Sequence, residues 1–164
     1  MMKKRLLAAG VISALALVLT ACGGKTEEAE KTHYYEILDG AGQTLYTVRE
    51  QEHVEQIDQL VNTAGMEINR SGSAEGDPLY VYVCWQEATV HAGEDSEAER
   101  EYLEAFRLTV RKSNDQITTE VLTSALDDLA GVLPTEDLGE LLTFTTEDLP
   151  DTAAALRDPA QFAE

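Results

Sequence analysis

Cationic side chains are scarce in this sequence. Twelve Lys and Arg stand against 31 Asp and Glu in 164 residues, a formal charge of −19. A surface of that sign argues against nucleic acid as a partner, because binding a polyanion depends on cations that release its counterions. Histidine occurs three times, at His33, His53 and His91, and none opens a His-Glu-x-x-His pair, so the helical zinc motif is missing. Gly-x-Ser-x-Gly is missing too, which removes the nucleophile elbow of the α/β-hydrolases. The Asp39-Gly40 start of one loop lacks the further Asp or Asn ligands and the distal Glu of a calcium loop. Cysteine occurs only at positions 22 and 84, too few for a disulfide framework. One apolar run is long, Leu6 to Leu19, and it falls short of the ~20 residues a membrane-spanning helix needs.

That run follows Met1-Met2-Lys3-Lys4-Arg5 and gives way to small and polar residues, the order of a secretory leader: cationic n-region, apolar h-region, processing site. At the boundary stands Leu19-Thr20-Ala21-Cys22. These four residues resemble the lipobox of bacterial lipoproteins, in which an aliphatic residue, a small residue and Ala or Gly precede Cys. The resemblance covers the first 22 to 24 residues. It implies a diacylglyceryl thioether on Cys22, cleavage after Ala21 by signal peptidase II, and acylation of the new amine. Two acyl chains exceed the one-chain limit below which membrane binding is merely reversible, at ~0.8 kcal/mol per buried methylene. The chain is therefore expected at the extracytoplasmic face of the cell membrane, or at the outer membrane of a two-membrane host.

Removing residues 1–21 deletes three cations and leaves 9 basic against 31 acidic groups, 9 − 31 = −22. Anionic headgroups repel such a domain. Residues 22–32 read as a lipidated tether, and the 12 residue steps from Cys22 to Tyr34 span at most about 40 Å. If Cys22 carries lipid, an intramolecular disulfide with Cys84 is excluded, and Cys84 reads as a packed thiol within a strand.

The remaining residues, 33–164, form one domain of ordinary size. Tyr34–Leu38 and Thr44–Val48 flank a glycine-containing loop and predict a β-hairpin. Val54, Ile57, Leu60 and Val61 predict an amphipathic helix over 51–64, ended by Gly65. Residues 70–78 read as a linker, and 91–99 as an acidic loop. Leu79–Glu87 is the strongest strand, with Leu79, Val81, Val83 and Trp85 on one face and Tyr80, Tyr82, Cys84 and Gln86 on the other. Phe106, Leu108 and Val110 alternate with Arg107, Thr109 and Arg111, predicting a second strand with its cations outward; Arg107, Arg111 and Lys112 read as partners of neighbouring carboxylates or as edge guards, with a small anion spot as the alternative. From Gln116 two patterns overlap, and a short strand passing into a helix over 119–130 has more matches. A helical turn at 136–142, a strand at 142–145 and a helix over 148–157 complete the reading. The Thr-Glu-Asp-Leu strings at 135–138 and 146–149 read as two helix starts capped by Thr. The fold class is α+β, a mainly antiparallel sheet with two to three helices on one face.

Tyr80 and Tyr82 are the candidate recognition surface, because exposed aromatics concentrate at binding sites. No catalytic constellation assembles and no cofactor or metal is expected. The reading is a non-catalytic binding or structural module of the cell envelope, with an unknown envelope protein or ligand as partner. The alternatives are a small hydrolase using His33, His53 or His91 with a carboxylate, and a cation-binding protein.

Overall fold

The computed structural model describes residues 32–88, 101–122 and 142–163. Among them the chain forms β1 (His33–Asp39), β2 (Thr44–Val48), α1 (Gln51–Met66), β3 (Ile68–Ser71), β4 (Pro78–Glu87) and β5 (Tyr102–Arg111). β6 (Gln116–Val121), β7 (Thr143–Asp148) and α2 (Pro150–Leu156) follow, and a 3-10 turn at Pro159–Phe162 comes last. The seven strands make one sheet in the order β2-β1-β4-β5-β6-β7-β3, with every neighbouring pair antiparallel. The lipobox and leader, the loop at 91–99, and the helical readings at 123–130 and 136–141 lie outside the described residues.

The register aligns Ile37, Tyr82, Leu108, Thr119 and Phe144 across five strands. This row and its alternate neighbours make the core face, since side chains two apart along a strand share one side. Helix α1 places Val54, Ile57, Val61 and Ala64 on it, and α2 with the closing turn adds Ala153, Leu156 and Phe162. Both helices thus share one side of the sheet, as the α+β reading expected. Among the described residues no helix is long and apolar enough to cross a membrane.

Several boundaries differ from the sequence expectation for physical reasons. Helix α1 runs past Gly65 to Met66, because Gly65 is buried in the helix and Glu67 takes the capping position, its amide donating to the Ala64 carbonyl. Ile68–Ser71, expected in part as linker, is an edge strand on β7; only Ile68 packs against the core, so no alternating pattern announced it. β6 holds strand geometry through Val121, correcting a helix that would begin at Thr119, because β5 and β7 supply ladder partners on both sides. Thr146 does not cap a helix. It lies inside β7 and its hydroxyl accepts from the Ile117 amide at 3.1 Å, while Leu149 precedes α2 and Pro150 opens it.

The opposite sheet face is divided in two. Gly72 to Asp77 forms a strap across the β5–β6–β7 part. The Ala74 amide donates to Thr118 Oγ1 at 3.1 Å, Thr145 Oγ1 donates to the Gly72 carbonyl at 2.6 Å, and Arg111 Nη1 donates to the Gly76 carbonyl at 2.7 Å. Gly76 holds φ +103°, and a Cβ there would meet Ser113 Oγ at 2.6 Å, so the strap needs glycine at this point. The β1–β4–β5 part, at the end of the sheet where Thr32 enters, lies away from the strap.

Candidate functional site

At the Thr32 end of this face, away from the strap, three aromatic side chains from three strands meet. Tyr34 of β1 lies directly opposite Trp85 of β4, and the register stacks their rings at 6.4 Å and 14°. Tyr102 of β5 meets Tyr34 edge-on at 5.1 Å. Arg49, in the link between β2 and α1, sets its guanidinium carbon 3.7 Å from the centre of the Tyr34 ring. Carboxylates fix the polar edges: Trp85 Nε1 donates to Glu36 at 2.9 Å, and Tyr102 Oη donates to Glu87 at 3.4 Å. Thr32, the first described residue, bonds to the same group, its Oγ1 2.7 Å from Tyr102 Oη and its amide donating to Glu87 at 3.3 Å. The chain therefore enters the sheet at the aromatic stack.

The surface expected at Tyr80 and Tyr82 is not open. Tyr82 is 0% exposed, its hydroxyl donates to the Leu156 carbonyl of α2 at 2.8 Å, and Phe162 packs edge-on against its ring. Burial pushes the Tyr82 phenol well above its ordinary pKa. Tyr80 is half-buried and packs against the same core. Alternation separated the two faces of β4 correctly, but the helices cover the tyrosine face and leave Trp85 on the other. Sequence reasoning missed the Tyr34–Trp85–Tyr102 stack because its members lie far apart in the chain and only the β1–β4–β5 register unites them. The single tryptophan of the chain, on a strand whose opposite face carries Tyr82 and Cys84, was the one signal available.

On the core side, His33 Nε2 lies 3.0 and 3.1 Å from the two Asp58 oxygens, and Tyr35 Oη donates to Asp58 Oδ1 at 2.6 Å. The carboxylate on α1 thus gathers two side chains of β1. Among the described residues the ring of His33 forms hydrogen bonds only to Asp58, so the pair acts as a tie between strand and helix. His53 lies 3.6 Å from Glu50, one turn earlier, and His91 lies outside the described residues. Cys84 is a buried thiol at the centre of the sheet.

Arg107 and Arg111 share the sheet face away from the helices, as the alternation predicts, but differ in exposure. Arg107 is exposed and pairs with Glu104, whose hydrogen bond holds its guanidinium pKa up. Arg111 is instead buried under the strap, which corrects the expectation that it points to solvent. It donates to the Gly76 carbonyl and to Thr118 Oγ1, and burial lowers its pKa. Lys112 is exposed at the turn into β6. Arg157 clamps that turn from the helix side, donating to Asp115 Oδ1 at 2.7 Å and to the carbonyls of Arg111 and Asn114.

Asp39, considered as a calcium ligand, turns its Oδ1 to the amides of Ala41 and Gln43, both at 2.9 Å. Its carboxylate closes the β1–β2 turn. Cys22, with Leu19, Thr20 and Ala21, lies outside the described residues. Compared with protein-family models, with curated proteins and with solved structures, the chain matches none.

Proposed function

We propose that this chain is a lipid-anchored, non-catalytic binding module of the cell envelope, held on the extracytoplasmic face of a membrane through Cys22. The observation that carries the reading is the sequence Leu19-Thr20-Ala21-Cys22 behind a cationic and then apolar leader. The position of Thr32 supports the same arrangement: the 10 residue steps back to Cys22 reach about 35 Å at most, so the anchor holds the domain close to its bilayer. The aromatic stack is the surface on which binding is placed, since rings with polar edges supply area at low entropic cost.

Metabolic labelling with an alkyne fatty acid in a bacterial host tests the anchor. The full-length chain takes up label, Cys22→Ser does not, and inhibition of signal peptidase II accumulates a precursor longer by residues 1–21. Label retained by Cys22→Ser, or absent from the wild-type chain, overturns the reading.

A further inference from the structure

We propose that the aromatic stack at the Thr32 end of the sheet docks a cationic segment of a partner protein, an Arg or Lys side chain of the partner taking the place that Arg49 holds over Tyr34. The inference rests on the binding-module reading and names the chemistry of its partner.

Two observations and one physical argument carry it. First, the Tyr34 ring already accepts a cation, since the Arg49 guanidinium lies 3.7 Å from its centre. Among the described residues Arg49 forms no salt bridge and is exposed, although acidic groups outnumber basic ones 31 to 9 once the leader is removed. It lies instead against the Tyr34 ring. It also stands in the link between β2 and α1, outside both elements, so its side chain can swing away without breaking a ladder or helix bond.

Second, carboxylates fix the edges of the stack: Glu36 holds Trp85 and Glu87 holds Tyr102. A cation set down there meets ring faces and negative charge together. A phosphate, a nucleic acid or an anionic lipid surface meets the repulsion of a chain whose net charge is −22 after the leader is removed. Charge complementarity therefore selects a basic protein segment.

Third, an exposed cation–π contact is weak and strengthens when water is excluded. Arg49 occupies the ring in solvent. A partner that covers the stack desolvates its own cation against the same ring and gains more than Arg49 gives up. Arg49 is in this sense a placeholder that lowers apparent affinity and screens for partners able to cover the whole patch.

Trp85 is the only tryptophan in the chain, so its emission reports this site alone. The full-length chain in non-ionic detergent is titrated at low salt with a nona-arginine peptide. The wild type shows a saturable change in Trp85 emission that 1 M NaCl diminishes. Arg49→Ala binds about 2- to 5-fold tighter, the factor corresponding to an exposed cation–π contact released from the ring. Lys112→Ala removes the same charge at a distant turn and reproduces less than half of that gain. Tyr34→Leu, with unchanged far-UV circular dichroism, binds at least ~2-fold more weakly.

Arg49→Ala binding no tighter than wild type overturns the proposal. So does an equal gain in Lys112→Ala, which makes the effect one of net charge only. An equal response of Trp85 to vesicles of phosphatidylglycerol, or to a neutral chitin oligomer, overturns it in favour of a lipid or glycan occupant. None of these readings depends on the lipid: a chain labelled at Cys22 with a silent Trp85 keeps the anchor and loses the site, and the converse result keeps the site and loses the anchor.

Discussion

Replacing Tyr82 by Phe removes one oxygen from the centre of the fold and tests how α2 is held. The hydroxyl is fully buried and donates to the Leu156 carbonyl at 2.8 Å, in the last turn of α2. Removing it loses a neutral hydrogen bond worth about 1 kcal/mol and leaves that carbonyl short of a donor at a further ~1 kcal/mol, so Tyr82→Phe is expected to unfold about 1–2 kcal/mol more easily at pH 8. The effect has a pH signature. Burial raises the phenol's pKa above its ordinary 10.0 in the folded state, so the native chain keeps its proton where the unfolded chain loses it. The stabilising contribution is full below pH 10 and falls as pH rises above it. One unit above that value the fall is about 1.4 kcal/mol, from the free energy of one pKa unit. Every other residue is common to the two chains and cancels in the difference. The deficit of Tyr82→Phe therefore shrinks to between about −0.4 and 0.6 kcal/mol at pH 11, the variant drawing level with the wild type. Urea unfolding at pH 8 and pH 11, followed by Trp85 emission and circular dichroism, measures both values. A deficit under ~0.3 kcal/mol at pH 8, or one as large at pH 11 as at pH 8, refutes the argument that burial of this hydroxyl organises the contact.

Two further perturbations address other joints. Asp58→Ala removes the acceptor of both His33 and Tyr35, and since a bond to a charged group contributes about 1.5–3 kcal/mol, a destabilisation near 2–3 kcal/mol is expected in urea; His33→Ala combined with it adds almost nothing, whereas full additivity contradicts a shared tie. Gly40→Ala places a Cβ 2.4 Å from the Pro78 carbonyl oxygen, a backbone atom that yields only if β4 shifts. A loss of about 1–3 kcal/mol follows from that overlap, and a melting temperature equal to wild type contradicts it.

Much of the fold is legible in the sequence where periodicity is strong. Val54, Ile57, Leu60 and Val61 mark α1, and the alternations of β4 and β5 give two central strands, because each of these elements buries one face against many neighbours. β3 is not legible, since an edge strand with three of its four residues exposed carries no pattern of its own. β6 falls between two periods because Val121 ends the Ile117-Thr119 alternation and also begins a helical stripe with Leu122, and only ladder partners on either side decide it. Arg111 reads as a surface residue until the strap folds over it. The candidate site was missed for a related reason. Alternation tells which residues of β4 share a face, and it does not tell which face a helix will cover. Tyr82 and Trp85 stand three residues apart and on opposite sides, so choosing the wrong side exchanges a core residue for a surface one.

The place of β3 at the sheet edge bears on how the chain assembles. β3 is made before most of the sheet, yet its pairing partner is β7, the last strand, with β4, β5 and β6 between them in sequence. A chain delivered from its N-terminus can zip β1 onto β2, bring β4 onto β1 across the intervening helix, and then add β5 and β6 as sequence neighbours. β3 must wait until Thr143–Asp148 arrives. Its closure joins segments more than 70 residues apart, a long-range contact of the kind that slows folding. α2 and the residues that cap Tyr82 come later still. The core under both helices is therefore sealed from the C-terminal end, and a chain truncated before Thr143 keeps a waiting edge at β6 and an unpartnered β3.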